Sequence, residues 1–181
     1  HVFSQPEWIM ENMSILTNHC HKQLQVECPD ADRIWQLPRI VPCRDGQDFY
    51  RDEGGDFWRA LTLIASATSY DVAQSSEHAF EIGTVLGQFH RLVSSMNPLS
   101  LRDTLPGFHE TPGYLEKYDA VVQRPEAQEV MESSMEVRNL QRFVEERRSL
   151  AFVLQEALDA GELKLSLIHG DPKVSNVMID N

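Results

Sequence analysis

The stretch of the chain best equipped for chemistry is His169-Gly170-Asp171-Pro172-Lys173-Val174-Ser175-Asn176, which brings together an imidazole, a carboxylate, an ammonium and a carboxamide. Phosphoryl transfer asks a protein chiefly for positioning and charge stabilisation, and this set could supply both. Asp171 would accept a hydrogen bond from an acceptor hydroxyl, align it with the γ-phosphorus of a nucleoside triphosphate, and take its proton late in the step. Asn176, five residues after the aspartate, would offer its side-chain oxygen to magnesium. Lys173 would set a cation against the transferring group, and His169 would brace the bend. His, Gly, Asp and the spaced Asn coincide by chance on the order of once in a thousand chains of this size. The competing reading is an ordinary polar turn between two strands.

Those residues need a frame. The alternation over 163–168 predicts a strand entering the loop, and 177–180 predicts a short strand leaving it. At the other end, Ser4-Gln5-Pro6-Glu7 reads as a capping box with proline in the first turn. Ile9, Met13, Leu16, Cys20 and Leu24 then recur at the helical period and predict a helix to about Leu24. Residues 49–51 and 57–64, parted by Asp52-Glu53-Gly54-Gly55, predict an antiparallel hairpin, and 34–41 could add a strand that Pro38 confines to an edge or a break. Residues 65–70 are small and polar, as a connection between two packed units is. Ala79, Ile82, Gly83, Leu86, Phe89, His90 and Val93 predict a long, largely buried helix closed by Asn97-Pro98. Further helices are predicted over 112–122 and over 135–160, the latter lined by Leu140, Phe143, Leu150, Leu154 and Leu158 and stopped at Gly161. The expected class is α+β.

Composition narrows the function classes. With 181 residues and 41% hydrophobic content, the chain can bury one good core or two small ones. No window approaches the run of about eighteen apolar residues that crosses a bilayer, so no membrane association is expected. The segment His1-Val2-Phe3-Ser4-Gln5-Pro6 lacks a basic region followed by an apolar one, which favours the cytoplasm. Twenty-eight acidic side chains against sixteen basic ones give a net charge of −12 and argue against nucleic acid as a partner. A chain so acidic that handles nucleotide phosphates needs local positive charge and a divalent cation. Cys20, Cys28 and Cys43 are too few and too irregular for a disulfide framework, and the adjacent His19, Cys20 and His21 point in different directions on a helix, which disfavours zinc.

The 169–176 loop resembles that of the aminoglycoside phosphotransferase and choline kinase superfamily, which shares the protein-kinase fold. Gly170 stands where protein kinases usually carry an arginine that reads a phosphorylated loop, so a small-molecule acceptor is implied. Val2-Phe3, Pro6-Glu7, Met10-Glu11-Asn12, Ala67-Thr68-Ser69-Tyr70-Asp71 and Leu105-Pro106-Gly107-Phe108-His109, taken with the loop, are similar to the N-acetylhexosamine 1-kinase group. The resemblance implies ATP and Mg2+ as cofactors and a sugar or amino-sugar hydroxyl as acceptor. It implies a partial N-lobe over 1–65 and a partial, mostly helical C-lobe over 66–181. In that frame Glu11, on the first helix, is the candidate partner of the nucleotide-binding lysine, and the backbone of Ile64 and Ala65 would meet adenine at the interlobe hinge. Arg102, Phe108 and His109 belong to a stretch rich in hydrogen-bonding groups, as a sugar pocket would be.

The family pattern also includes an upstream glycine-bearing turn, a lysine strand and a second magnesium aspartate beyond the loop, none of which the 181 residues contain. A fragment with little or no activity by itself is the expectation. Choline, homoserine and aminoglycosides stay open as acceptors, and a pseudokinase-like binding domain stays open as a different class. A metal-dependent phosphoesterase using His169 and Asp171 lacks a companion ligand cluster. Oligomeric state has no signature in the sequence.

Overall fold

A computed structural model of the chain describes residues 5–26 and 33–180. The class is α+β, with six α-helices and short antiparallel strand pairs among the described residues, consistent with a partial kinase-like fold. By packing, the chain divides into two compact units, one of His1–Thr104 with Ser166–Asn181 and the other of Leu105–Leu165. The first unit holds every described strand and the whole 169–176 loop.

In the first unit, α1 (Pro6–Val26) carries its buried face on Met10, Thr17 and Cys20. Leu16 and Leu24 pack partly buried beside it, as the period requires. The predicted capping serine, Ser4, lies outside the described residues, as does Cys28. Helix α2 (Ser76–Val93) starts where the Ser75 hydroxyl accepts the backbone N–H of His78 at 3.1 Å. Its burial is less than the pattern suggested. Gln88, Leu92 and Val93 are buried, whereas Ala79, Gly83 and His90 are exposed, so only the C-terminal part meets the core. That core joins the two helices: Cys20 is fully buried against Leu92 and Val93, with Leu37, Phe89, Met96 and Leu167 around them.

The hairpin forms, but in two short pieces. Strand β1 (Ile40–Val41) pairs antiparallel with β4 (Ala60–Leu61), and β2 (Tyr50–Arg51) with β3 (Phe57–Trp58). The sums of paired numbers differ between the two ladders because a turn around Gly46, with φ +83°, inserts extra residues on one strand only. Of the segment 34–41 only the last two residues pair, beyond the proline that removes a donor. Asp52 organises the tight turn: its Oδ1 accepts the Asp56 N–H at 2.9 Å and its Oδ2 the Trp58 indole N–H at 2.8 Å. The segment 65–70 contains a strand as well as a turn. Strand β5 (Ala67–Thr68) pairs antiparallel with β6 (Ile179–Asp180), in the register Ala67↔Asp180 and Thr68↔Ile179.

Two predicted strands change. Residues 163–168 pair with no described neighbour, so the apolar alternation gives an extended segment rather than a ladder; only Leu167 is anchored on the core. The strand after the loop is confined to Ile179–Asp180, where β5 is available as a partner.

The second unit is helical: α3 (Thr111–Val122), α4 (Pro125–Ser133), α5 (Met135–Glu146) and α6 (Val153–Asp159). Helix α4 was not expected, although proline at its first position and Glu126 in its first turn are start signals. The single helix predicted over 135–160 is interrupted at Arg147 and by a 3-10 turn over Arg148–Ala151. There Arg148 forks onto Asp119 at 2.7 and 2.8 Å and onto Glu145 at 2.9 Å. This three-way ion pair holds the chain in a turn that the apolar period alone would have carried through. Both carboxyls are lowered by their hydrogen bonds from Arg148.

Candidate active site

The loop grows out of the first unit's core. Leu167 is the last residue packed on Cys20, Leu92 and Val93, and two residues later the His169 ring meets the ring of Phe89 from α2 edge to face, centroids 5.4 Å apart and planes at 72°. Gly170 then takes φ +82°, a left-handed value that glycine adopts without steric cost, while no neighbour crowds the place a Cβ would fill. The turn is completed by Lys173 N–H donating to the Asp171 carbonyl at 2.9 Å and by a 3-10 turn over Val174–Asn176.

This path folds Asn176 back on Asp171. The Asn176 Nδ2 donates to the Asp171 carbonyl oxygen at 2.7 Å and to the carboxylate Oδ2 at 3.1 Å. Lys173 Nζ lies 3.2 Å from the same Oδ2. The Asp171 N–H donates to His169 Nδ1 at 3.3 Å. All four residues nominated in the loop are therefore tied to one another, and the bend points Asp171 and Asn176 at a common place.

The electrostatics follow from those bonds. The Lys173 ammonium and, after it, the Asn176 amide hold the Asp171 carboxyl below its ordinary value of 3.8, with a smaller contribution from His169. The group is thus ionised at neutral pH, a weak base suited to orienting a hydroxyl and receiving its proton late. The side chains of Asp171 and Lys173 are 61% and 60% exposed, open to solvent and to any ligand it carries.

The same donor set can be tested against magnesium. With Nδ2 spent on Asp171, Asn176 keeps Oδ1 and Asp171 its carboxylate as oxygen donors of the hard kind this ion takes. No cluster of three or more His, Cys, Asp or Glu side chains able to hold a metal occurs among the described residues. That is compatible with an ion held by one or two protein oxygens and completed by phosphates and water.

Residues 16–181 match the model of the phosphotransferase enzyme family. The chain belongs to that family. Its superfamily is that of aminoglycoside phosphotransferases and choline kinase-like enzymes, kinase-type proteins that act on small-molecule substrates. The match runs through both units and includes the entire 169–176 loop.

The other nominated residues are held differently. The Glu11 carboxylate is ion-paired with the Arg102 guanidinium, which also lies over the Trp8 ring at 5.3 Å. Hydrogen bonding to Glu11 raises the Arg102 pKa further. Beside this pair Asn12 clamps the Arg102 peptide, its Nδ2 donating to the carbonyl and its Oδ1 accepting the N–H, both at 2.8 Å. Two residues expected in separate sites thus meet each other, and Asn12 and Trp8 complete a cluster whose partners lie about ninety positions apart in the chain. Glu11 also lines a groove of about 490 Å3 with Glu7, Met10, Ile15, Asp48 and Phe49, and no residue of 169–176 is among its lining.

Ile64 is half-buried and Ala65 exposed, the latter opening a turn in which Ser66 has φ +63°. The turn leads into β5, whose pairing with β6 ties this segment to the exit of the 169–176 loop. Phe108 and His109 belong to the second unit. Their rings lie 3.9 Å apart, His109 has φ +64°, and its N–H donates to the Tyr114 hydroxyl at 2.9 Å. Of the residues in contact with the loop, Phe89 was visible only as one apolar position on a helix. Asn12 was visible only within the Met10-Glu11-Asn12 resemblance, and its clamp role had no signal, because its partner is distant in sequence. Among the described residues, no helix is long and apolar enough to cross a membrane.

Proposed function

We propose that this protein transfers the γ-phosphoryl group of ATP, with Mg2+, to a hydroxyl of a sugar, an N-acetylhexosamine being the first choice. The observation that supports the reading is the convergence of Lys173 and Asn176 on Oδ2 of Asp171 inside the segment matched to the phosphotransferase family. In this reading Asp171 orients the acceptor hydroxyl and takes its proton. Lys173 lends positive charge to the phosphoryl group, and His169 holds the bend through the Asp171 N–H. Asn176 would hold magnesium through Oδ1, and the ion would neutralise charge on the nucleotide's phosphates.

The reading also assigns residues 1–65 to an N-lobe portion and 66–181 to a C-lobe portion, with Ile64 and Ala65 at the adenine. Glu11 is proposed as a partner for the nucleotide-binding lysine and Arg102, Phe108 and His109 as acceptor contacts. The reaction belongs in the cytoplasm, where ATP is held.

The test uses the protein as its gene encodes it, incubated with ATP and Mg2+ and with N-acetylhexosamine, choline, homoserine or an aminoglycoside in parallel. The expected result is a phosphorylated N-acetylhexosamine, with loss of the product in Asp171→Asn. Turnover of one of the other acceptors would redirect the specificity, and absence of nucleotide binding by calorimetry would favour a non-catalytic binding domain.

A further inference from the structure

We infer that Phe89 is a positioning residue for the phosphotransfer loop, acting on Asp171 through the ring of His169; this rests on the reading of Asp171 as the group that orients the acceptor. The loop has few restraints of its own. The side chains of Asp171 and Lys173 are exposed, Gly170 turns the backbone left-handed ahead of Asp171, and the hydrogen bonds among Asp171, Lys173 and Asn176 lie within the turn. The histidine links that turn to the core of the unit, while β6 ties the chain beyond it to β5. The His169 Nδ1 receives the Asp171 N–H, and an imidazole free to rotate about its side-chain bonds would present Nδ1 only part of the time.

Phe89 removes that freedom. Its ring is packed against the Cys20, Leu92 and Val93 core, and it meets His169 at 72°, so a rigid helix face sets the plane of the imidazole. Leu167, on the same core, fixes the backbone two residues before His169. The path from core to carboxylate is therefore Leu167 and Phe89, then His169, then the Asp171 amide, all within one compact unit. Two consequences follow from the hydrogen-bond direction. Nδ1 is the accepting nitrogen, so the favoured tautomer carries its proton on Nε2, and loss of the Phe89 edge must blur that preference before it alters anything at the nucleotide or the acceptor.

The experiment compares wild type with Phe89→Leu, Phe89→Met and Phe89→Tyr in the gene product as encoded. Imidazole nitrogens are read by NMR after 15N-histidine labelling, with the His169 signals assigned by their disappearance in His169→Gln. Wild type and Phe89→Tyr should give the Nε2–H pattern, and Phe89→Leu should shift toward averaged tautomers. In turnover, Phe89→Leu should lose roughly tenfold in kcat, with KM for ATP and for acceptor changed less than about twofold, and Phe89→Tyr should recover most of the loss. Proton-on-Nδ1 signals in wild type would overturn the inference. So would an unchanged tautomer pattern in folded Phe89→Leu or Phe89→Met, whatever the melting temperature does. Should the protein show no phosphotransfer, the nitrogen spectra still decide the coupling, so the failure of this inference and of the functional reading are separable.

Discussion

Two charged clusters in the same compact unit behave in opposite ways. In the 169–176 loop, Asp171 meets Lys173 and Asn176, partners two and five residues away, around one glycine turn. In the other cluster, Glu11 meets Arg102 across a separation of 91 residues, braced by Trp8 and Asn12. Local partners are set by backbone geometry that residue types dictate, whereas distant partners are set by how helix and loop pack. The contrast teaches that a short chemical motif can be read with its contacts, while a lone carboxylate on a helix can be read only as a candidate.

The largest expected effect tests the local cluster. Asp171→Asn keeps the shape but removes the base and the charge, and kcat should fall by about 10³-fold in a coupled nucleotide assay. If the loss is less than about tenfold, Asp171 is not orienting the acceptor and the loop is a structural bend. Next, Lys173→Met should cost roughly 10²-fold in kcat, as removal of a preorganised positive donor does. It should also move the pH profile. Lys173 is the first cause holding Asp171 below 3.8, so the acidic limb of kcat/KM in wild type lies below that value. In Lys173→Met the carboxyl pKa rises, so activity is lost at higher pH on the acid side. The sign is the one for a depressed carboxylate, whose ionised form is present above its pKa and disappears as pH falls through it.

How far the sequence carries follows from the same distinction. The loop was legible with its contacts because His169, Gly170, Asp171 and Asn176 are neighbours, and the hydrogen bonds of the turn join residues close in sequence. The helices α1 and α2 were legible from the period of their apolar residues. Strands were not legible in extent. The alternation over 163–168 says which face would be apolar, yet pairing depends on a partner, and the partner of the chain's last strand proved to be Ala67–Thr68, in a stretch that reads as a linker. The break in the helix predicted over 135–160 escaped for a similar reason, since Arg148 is turned by Asp119 from another helix. Glu11 and Arg102 were each nominated, but nothing in the sequence says that they meet.

The distant cluster can be probed by smaller effects. Asn12→Ala removes both hydrogen bonds to the Arg102 peptide and leaves the Arg102 side chain its ion pair with Glu11 and its contact with the Trp8 ring. A loss of about 1 kcal/mol in chemical denaturation is expected, because these bonds compete with water in an exposed place. No change would mean that the clamp follows the packing of α1 rather than holding it.

The smallest effect decides what the Glu11–Arg102 pair is for. If Glu11 serves a nucleotide-binding lysine, it must spend part of its time away from Arg102, so Arg102→Met should lower the KM for ATP while Glu11→Gln raises it. If the pair only braces the helix, both variants should lower the melting temperature slightly and leave KM alone, because an ion pair this exposed is screened by water. Either shift in KM should stay under about fivefold. The double variant separates the cases. Competition predicts that Arg102→Met has no effect on KM once Glu11 is already glutamine, since there is no carboxylate left to release. Bracing predicts that the two losses in melting temperature overlap instead of adding, with KM unchanged throughout.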